Sequence, residues 1–400
     1  MPHLTWGRHT LDLEIPADRL IALRRSPGAP PVENLQAAVR QALEEPYRFP
    51  PLRRALTPDD HVAVAVDETL PRLPELLVPL LEHIRSAGVA PEGITLICLP
   101  PSSGQKWALE LPDEFQDVQV EVHQPGERRK LSYLATTRNG RRIYLNRSAV
   151  DADQLILLTG RGYDPRYGIG GAETALFPSL SDEATIQEFA GKLSLEAPGS
   201  DPWPIQTEAT EVAWLLGAPF LVQVIVGAGQ DVAHVLGGTV ESSHEGQRLL
   251  DARWRVEAAQ AADTVIAAIG ADAPTFEDLA HAFFAAARVV KAGGRIILLI
   301  DGQPTLGRAA AIMRQQTDPV RALKIMLEER PSDLAAGFLW SSAAAKAKLY
   351  LLSPLPAEVA VELFVTPLSG PNEVQTLLGS DDKYLILPDA HKTLAVISHA

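Results

Sequence analysis

The sequence predicts an α/β protein of two domains, each with a mostly parallel sheet flanked by helices. The chain has 400 residues, which is more than a single hydrophobic core usually serves. Val62–Val66 is a continuous apolar run of the kind that central parallel strands show. A helical pattern at 73–87 and a second apolar strand at 94–99 follow, and this strand–helix–strand order requires parallel pairing. We therefore place one domain at residues 1–255 and the second at residues 256–400.

The remaining elements are predicted from the spacing of apolar residues. In the first domain, an opening strand is expected within 3–16 and a helix at 32–43. Further strands are expected at 118–123, 142–145, 154–159, 220–226 and 232–236, with helices at 181–193 and 208–216. Residues 126–140 are predicted as a charged turn region, and 240–261 as one long amphipathic helix that connects the domains. In the second domain, strands are expected at 264–269, 295–300, 348–352, 361–365 and 383–387, with helices at 275–291, 306–316 and 319–328.

Composition excludes several classes of protein. Hydrophobic residues make up 46% and charged residues 22% of a chain with net charge −14, so the chain is globular and its main partner is neither nucleic acid nor an anionic membrane. No run of about 18 apolar residues occurs and the N-terminus lacks an apolar signal region, so a cytoplasmic protein is expected. The one cysteine, Cys98, excludes an internal disulfide and a CxxC metal site, and its apolar neighbours predict a buried side chain.

Polar residues follow the first two parallel strands. Asp67, Thr69 and Arg72 come after the first strand, and Ser102 comes after the second. Because ligands of parallel sheets bind at the carboxyl ends of the strands, these residues are candidates for a binding site. Asp67 could equally cap the helix that follows it, so both interpretations stay open at this point.

The strongest functional signal is the glycine-rich segment at 159–182, which follows a buried strand. Glycines allow backbone N–H groups to approach a bound group closely. The segment is also longer than the two to six residues of an ordinary connection. The pattern favours a loop that wraps a phosphorylated or anionic ligand, and the alternative is a long structural turn with solvated charges. Polar and glycine residues of this loop that are candidates for the site are Tyr163, Asp164, Gly170, Gly171, Glu173 and Thr174.

Four blocks of sequence, in order, resemble the nickel-pincer lactate racemase family. They are residues 46–71, 162–186, 220–246 and 261–302. The first resembles the family's Asp-x-Thr-Arg-Pro motif, and the second resembles its Gly-Gly-x-Lys-x-x-x-Pro-Gly loop. The resemblance implies two α/β domains with a cleft between them. It also implies a nickel pincer nucleotide, a cofactor derived from nicotinic acid, that takes hydride from the α-carbon of a 2-hydroxyacid and returns it to the other face. Two histidines exchange the hydroxyl proton.

The family's cofactor positions carry over with changes. Asp67 and Thr69 match the first motif, but Leu70 stands at its phosphate-binding arginine, for which Arg72 is a nearby substitute. Glu173 stands where the family has the lysine that tethers the cofactor. The nickel-binding histidine has no counterpart, since no histidine occurs between His123 and His234. No metal-ligating residue is therefore expected. The cofactor-binding residues that the resemblance implies are Asp67, Thr69, Arg72, Ser102, Gly170, Gly171, Glu173, Thr174 and Trp340.

The catalytic positions change in the same direction. The family's first catalytic histidine falls near Ser102 and its second near Tyr163, and both of these hydroxyl groups have pKa values far from neutrality. The family's glutamine and lysine on the first helix of the second domain fall near Asp278 and His281. The catalytic candidates are Tyr163, Asp164, Asp278 and His281. His391 and His399 lie near the C-terminus and are expected to be exposed.

Two functions stay open from sequence. The favoured hypothesis is an isomerase, a racemase- or epimerase-like protein that acts on a 2-hydroxyacid with an altered active site and not by the usual lactate racemase mechanism. The alternative is a non-catalytic descendant that binds a nucleotide or an organic anion. In both cases the partner is a small molecule, and the nickel pincer nucleotide is implied only by the family resemblance.

Overall fold

The chain forms two compact units in the computed structural model, which describes residues 2–26, 30–100, 104–199, 201–270, 273–379 and 381–398. The loop unit comprises Ala29–Phe189 and Pro198–Leu250. The terminal unit comprises Asp251–Ala400 together with Met1–Gly28 and Ala190–Ala197. The N-terminal segment, which the sequence assigned to the first domain, thus groups with the C-terminal residues.

The strands of both units are numbered in chain order. They are β1 (His3–Trp6), β2 (His9–Asp12), β3 (Leu23–Arg25), β4 (Val62–Val66), β5 (Ile94–Cys98), β6 (Gln119–Val122), β7 (Leu131–Thr136), β8 (Arg142–Asn146), β9 (Gln154–Gly160), β10 (Gly162–Asp164), β11 (Gly168–Gly170), β12 (Phe220–Val226), β13 (Val232–Gly238), β14 (Arg255–Ala258), β15 (Ala262–Ala268), β16 (Val290–Leu299), β17 (Lys348–Leu352), β18 (Val365–Leu368), β19 (Tyr384–Leu387) and β20 (Leu394–Ile397).

The helices are numbered in the same way. They are α1 (Leu35–Glu44), α2 (Leu73–Ser86), α3 (Arg147–Asp151), α4 (Glu173–Leu176), α5 (Glu183–Ala190), α6 (Pro204–Leu216), α7 (Ser243–Trp254), α8 (Phe276–Val289), α9 (Arg308–Met313), α10 (Pro319–Glu329), α11 (Leu334–Lys346), α12 (Ala357–Glu362) and α13 (Pro371–Thr376).

The loop unit is built on a six-stranded sheet in the order β13-β12-β9-β4-β5-β6. Its pairs are parallel except β12 with β13. Every residue of β4 and β5 is buried, which explains why their sequences are continuously apolar. The chain leaves β4 toward β5 and later returns to its other side at β9. The topological switch point of this sheet therefore lies between β4 and β9.

The terminal unit has its own five-stranded parallel sheet in the order β18-β17-β16-β15-β19. Its switch point lies between β15 and β19, because the next three strands add on the other side of β15. A separate three-stranded sheet joins β14 to β3 and β20. The mostly parallel α/β architecture predicted from sequence is thus confirmed in both units.

Several local predictions were wrong where long-range pairing decides the structure. The predicted helix at 240–261 ends at Trp254, because Arg255–Ala258 pairs with β3 and β20 as a strand. The predicted strand at 361–365 covers the last two residues of α12 and the turn after it, and β18 begins only at Val365. The helix α11 was missed. The strand β7 was also missed: it lies inside the predicted turn region and pairs with β8 as a hairpin.

Two expectations about burial can be compared with the structure. Cys98 is a free and fully buried thiol, as expected, and burial raises its pKa to about 12. Within the ranges that the structure describes, no helix is both long enough and apolar enough to span a bilayer.

Candidate functional site

Asp67 joins the two strands that meet at the switch point of the loop unit. Its Oδ1 accepts hydrogen bonds from Thr69 N at 3.0 Å and from Thr69 Oγ1 at 2.6 Å. Its Oδ2 accepts a hydrogen bond from Gly160 N at 3.1 Å, at the end of β9. Arg72 occupies the N-cap position of the following helix α2 and makes no side-chain capping hydrogen bond, so Asp67 is not the cap of this helix. The carboxylate instead fixes the carboxyl ends of β4 and β9 against each other.

Arg72 is engaged by a neighbour on the same helix. Its Nε donates to Glu75 Oε1 at 2.7 Å and its Nη2 donates to Glu75 Oε2 at 2.5 Å. This bidentate pair raises the pKa of the Arg72 guanidinium. A phosphate contact from Arg72, which the sequence predicted, therefore requires the guanidinium to share its donors with Glu75, and it stays a prediction. Ser102, predicted to lie beside it, falls outside the described residues.

The glycine-rich loop folds back onto the end of β9. Its strands β10 and β11 form a short antiparallel hairpin, and Gly171 follows with a φ of +78°. A Cβ at Gly171 would lie 2.0 Å from the carbonyl oxygen of Gly160, so only glycine fits there. The next residue, Ala172, donates its N–H to Thr159 Oγ1 at 2.9 Å. The loop is therefore a fixed structure against the sheet edge.

Arg161 ties this loop to the start of helix α7. It is only 7% exposed. Its Nη1 donates to the carbonyl oxygens of Gly170 at 3.2 Å and Gly171 at 3.1 Å, and its Nη2 donates to the carbonyl oxygen of Ser243 at 3.3 Å. A charged guanidinium on backbone carbonyls makes strong hydrogen bonds, so Arg161 holds the loop in one conformation.

Glu173, which stands at the family's lysine position, lies beside these groups at the start of α4. It is 7% exposed, and its Oε2 accepts a hydrogen bond from Ser243 Oγ at 2.5 Å. We call Arg161, Glu173 and Ser243 the loop network. Sequence reasoning did not select Arg161 or Ser243. Ser243 lies 70 positions after Glu173, and no local motif links the two.

Thr174 and the predicted catalytic pair Tyr163–Asp164 belong to the same loop. Thr174 Oγ1 donates to the carbonyl oxygen of Gly171 at 2.9 Å, which supports the turn. Asp164 forms an ion pair with Arg166, whose Nη2 lies 2.6 Å from Asp164 Oδ2 and whose N–H donates to Oδ1 at 2.7 Å. Tyr163 lies opposite Ile169 in the hairpin. Catalytic roles for Tyr163 and Asp164 stay predictions.

The other predicted site residues lie in the terminal unit. Asp278 forms a capping box with Thr275, in which Asp278 Oδ2 accepts from Thr275 N at 2.8 Å. His281 lies one turn later, with its Nε2 3.9 Å from Glu277 Oε1. Trp340 is fully buried, stacks on Phe276 and donates its indole N–H to the carbonyl oxygen of Leu363 at 2.8 Å. These contacts give Trp340 a packing role and Asp278 a capping role. A shared site with the glycine-rich loop stays a prediction.

His391 was expected to be exposed, and this expectation is wrong. The residue lies in a short 3-10 turn, Ala390–Lys392, directly after β19, and its Nδ1 is buried without a hydrogen-bond partner among the described residues. Burial lowers its pKa to about 4, although the nearby carboxylates of Asp278 and Asp389 act in the opposite direction. His399 lies outside the described residues.

The side chains of the loop do not fit a nickel pincer nucleotide that is attached and coordinated as in the family. A carboxylate at Glu173 has no amine with which to form the lysine link. The described residues contain no group of three or more histidine, cysteine, aspartate or glutamate side chains that could hold a metal ion. No histidine stands at the family's nickel-binding position, so the imidazole donor that suits nickel is not supplied there.

Comparison with known proteins agrees with the resemblance seen in the sequence. Residues 6–199 match the family model described as the lactate racemase N-terminal domain. No curated protein sequence matches the chain. The lactate racemase apoprotein from Thermoanaerobacterium thermosaccharolyticum has a similar structure, with a TM-score of 0.81 at 18% identity over 99% of both chains. A Thermotoga maritima protein has a TM-score of 0.66 at 11% identity, over 94% of this chain and 100% of its own.

These matches carry different weight. At such low identity, the two solved structures establish the fold and nothing about the substrate. The family model adds a sequence signal that includes Asp67 and the glycine-rich loop. The fold is therefore similar to that of the lactate racemase apoprotein, and residues 6–199 resemble the lactate racemase N-terminal domain.

Proposed function

We propose that this protein is an isomerase of the racemase or epimerase type, which acts on a 2-hydroxyacid by a route other than the family's usual one. The observation that supports this most directly is the pair of carboxylates at one sheet edge. Asp67 bridges the ends of β4 and β9, and Glu173 is buried with Ser243 in the loop that returns to the same edge. A switch point is where ligands of such sheets bind.

The chain's own residues supply binding and proton transfer in this proposal. Inversion requires that a proton leave the α-carbon and return to its opposite face, and Glu173, a carboxylate at the sheet edge, is the candidate base that takes this proton and gives it back. Arg161 holds the backbone carbonyl oxygens of Gly170 and Gly171 in place beside Glu173 in the chain. A nucleotide held by non-covalent contacts, with Thr69 and Arg72 toward its phosphate, is the cofactor class that the family relationship suggests.

The test is turnover with a panel of enantiomerically pure 2-hydroxyacids, followed by chiral chromatography and by deuterium uptake at the α-carbon in D2O. We expect conversion of at least one acid, and a loss of at least about 100-fold in Glu173→Gln, the range expected for one acid–base group. Glu110→Gln, an exposed residue of the same unit, is the matched control. Absence of turnover for the whole panel, with and without nucleotides, contradicts the proposal.

A second candidate is a non-catalytic protein that binds a nucleotide or an organic anion. It is favoured by the way in which charged groups of this region are paired, Asp164 with Arg166 and Arg72 with Glu75. Such pairing leaves fewer groups for acid–base chemistry. Calorimetry with nucleotides and hydroxyacids distinguishes the two candidates, because binding without turnover selects the second. Turnover that is lost in Glu173→Gln excludes it.

A further inference from the structure

We propose that the outer face of the β7–β8 hairpin binds an acidic polypeptide segment of a partner protein. We call this face the basic ribbon and define it by Arg128, Tyr133, Arg142 and Tyr144. The ribbon belongs to the loop unit and contains none of the residues that bridge the switch point or form the loop network. The inference is therefore independent of the isomerase proposal, and each can fail without the other.

The sequence concentrates positive charge in this hairpin and in the turn before it. Residues 127–147 have a net charge of +6, whereas the whole chain has −14. They contain one acidic residue, Glu127, and seven basic residues, which are Arg128, Arg129, Lys130, Arg138, Arg141, Arg142 and Arg147. A local excess of one sign of charge attracts partners of the opposite sign. The partner that fits this segment is therefore anionic.

The fold presents one face of the hairpin to solvent. Ile143 and Leu145 of β8 are buried in the core of the loop unit. Arg142 and Tyr144 alternate with them along the strand, so they point away from this core. Tyr133 lies opposite Tyr144 across the two strands and is 53% exposed. Tyrosine and arginine are the residue types that contribute most to protein–protein binding, so the composition of this face suits a protein partner.

Two arginines of the basic ribbon have no carboxylate partner. Arg128 and Arg142 are exposed, and neither forms an ion pair with a carboxylate among the described residues. By contrast, the neighbouring Arg141 is held by Glu188 and Glu208, each at 2.7 Å. A guanidinium group is matched to a carboxylate because two parallel N–H···O hydrogen bonds can form between them. Arg128 and Arg142 thus retain donors for carboxylates that come from another chain.

Both of these guanidinium groups act on Tyr144. The guanidinium carbon of Arg128 lies 4.1 Å from the centre of the Tyr144 ring. The pKa of the Tyr144 phenol is lowered, chiefly by a hydrogen bond from Arg128, and the charge of Arg142 acts in the same direction. The two cations are therefore close to a single phenol group. One acidic segment that crosses the ribbon can contact both of them.

The arrangement of the rings favours a polypeptide over a single-stranded nucleic acid. Bases stack on free aromatic faces, but Arg128 lies over the ring of Tyr144. The ring of Tyr133 is tilted by 58° from that of Tyr144, and its hydroxyl group is hydrogen-bonded to Thr136 Oγ1 at 2.9 Å. Successive bases therefore find no parallel pair of rings. The negative net charge of the chain also opposes a phosphate backbone.

The experiment measures the fluorescence anisotropy of a labelled oligoglutamate peptide that is titrated with the full chain at low ionic strength. We expect binding that weakens as salt is added. In the double variant Arg128→Glu/Arg142→Glu the affinity should fall at least about 10-fold, because two attractive contacts become repulsive. The matched control is Arg54→Glu/Arg321→Glu, which changes the net charge equally at two exposed arginines outside the ribbon. Its affinity should stay within about 2-fold of the wild type, since distant exposed charges are screened.

Three outcomes overturn the inference. They are no binding of the oligoglutamate peptide at low ionic strength, an equal loss of affinity in the two double variants, and tighter binding of labelled oligothymidylate than of oligoglutamate. The last outcome selects a nucleic acid as the partner. All four substituted arginines are exposed, so both double variants should fold, and thermal unfolding of each variant verifies this.

Discussion

At the switch point of the loop unit, the Asp67 carboxylate is held by hydrogen bonds from both neighbouring strand ends, whereas at the switch point of the terminal unit the imidazole of His391 has a buried nitrogen without a hydrogen-bond partner among the described residues. The Asp67 carboxylate accepts hydrogen bonds from Thr69 and from Gly160 N, and the Arg161 guanidinium donates to backbone carbonyl oxygens of the loop and of α7. His391 has a buried Nδ1 without a partner among the described residues, and its pKa is lowered to about 4. Burial lowers the pKa of the His391 imidazole, so this group gains its proton only in acid. The edge of the terminal unit is therefore expected to respond to acid.

The two edges also use glycine in different ways. At Gly171 a Cβ would meet a backbone carbonyl oxygen at 2.0 Å. At Gly270, which follows β15, a Cβ would meet the carboxylate Oδ1 of Asp389 at 2.7 Å, and Gly270 N donates to the same oxygen at 3.3 Å. The contact at Gly171 involves a backbone carbonyl group, which no substitution removes. The contact at Gly270 involves the side chain of Asp389, which a substitution can remove.

The largest effect is expected for Gly171→Ala. The new Cβ overlaps the carbonyl oxygen of Gly160 and the residue has a φ of +78°, so the free energy of unfolding should fall by about 3 kcal/mol or more. Urea denaturation measures it. Gly162→Ala is the matched control, because nothing lies within 4 Å of its added Cβ, and its effect should stay within about 0.5 kcal/mol. Equal effects of the two variants would show that the loop does not pack on β9 as described.

The next effect concerns pH. The folded-state pKa of His391 is about 4 and its ordinary value is 6.5, so the unfolded chain binds more protons between these values. The free energy of unfolding therefore keeps its full value above pH 6.5, and it falls by on the order of 2 kcal/mol as pH decreases toward 4. His391→Gln should flatten this part of the stability curve.

The control for this prediction is His3→Gln, since the His3 side chain is 58% exposed. Burial also lowers the pKa of His83 and His123, so some acid sensitivity will persist in His391→Gln. Asp278 and His281 on α8, and Asp389 and Lys392 in the turn itself, are the charged groups that act on His391. An unchanged slope in His391→Gln contradicts the buried imidazole.

The smallest effect is expected at Gly270. Gly270→Ala should lower the free energy of unfolding by about 1–2 kcal/mol, because its Cβ presses on the Asp389 carboxylate. In the Asp389→Gly background the same substitution should cost less than about 0.5 kcal/mol, since the clash is gone. Thermal unfolding of the wild type, the two single variants and the double variant gives the coupling free energy between the two positions. Strict additivity of the two substitutions would exclude a contact between these residues.

The sequence predicted the fold well where the signal is local. Val62–Val66 and residues 94–99 were recognised because strands buried on both faces read as continuous apolar runs. The Thr275 cap was recognised from its own side chain. By contrast, Arg255–Ala258 continues a helical pattern and becomes a strand only because β3 and β20 pair with it. Pairing over such distances in sequence has no local signature.

The candidate site shows the same division. Asp67 and the glycine-rich loop were found from their position after strands, and the structure brings them to one sheet edge. Ser243 was missed because its contact with Glu173 spans 70 positions. His391 was misjudged because nearness to the C-terminus does not imply exposure when the next strand is paired inside a sheet. The environments of Ser243 and His391 are set by contacts with residues distant in sequence, which residue type alone does not reveal.

The three-stranded sheet of the terminal unit has a consequence for synthesis. β14 pairs with β3 from the beginning of the chain and with β20 from its end. During translation, the loop unit has all of its residues once Leu250 has left the ribosome, whereas β3 meets its strand neighbour only when β14 emerges, and the sheet is complete only with β20. An early strand without its neighbours exposes backbone donors and acceptors to other chains. Until β14 is made, β3 is therefore an unpaired strand through which nascent chains can associate.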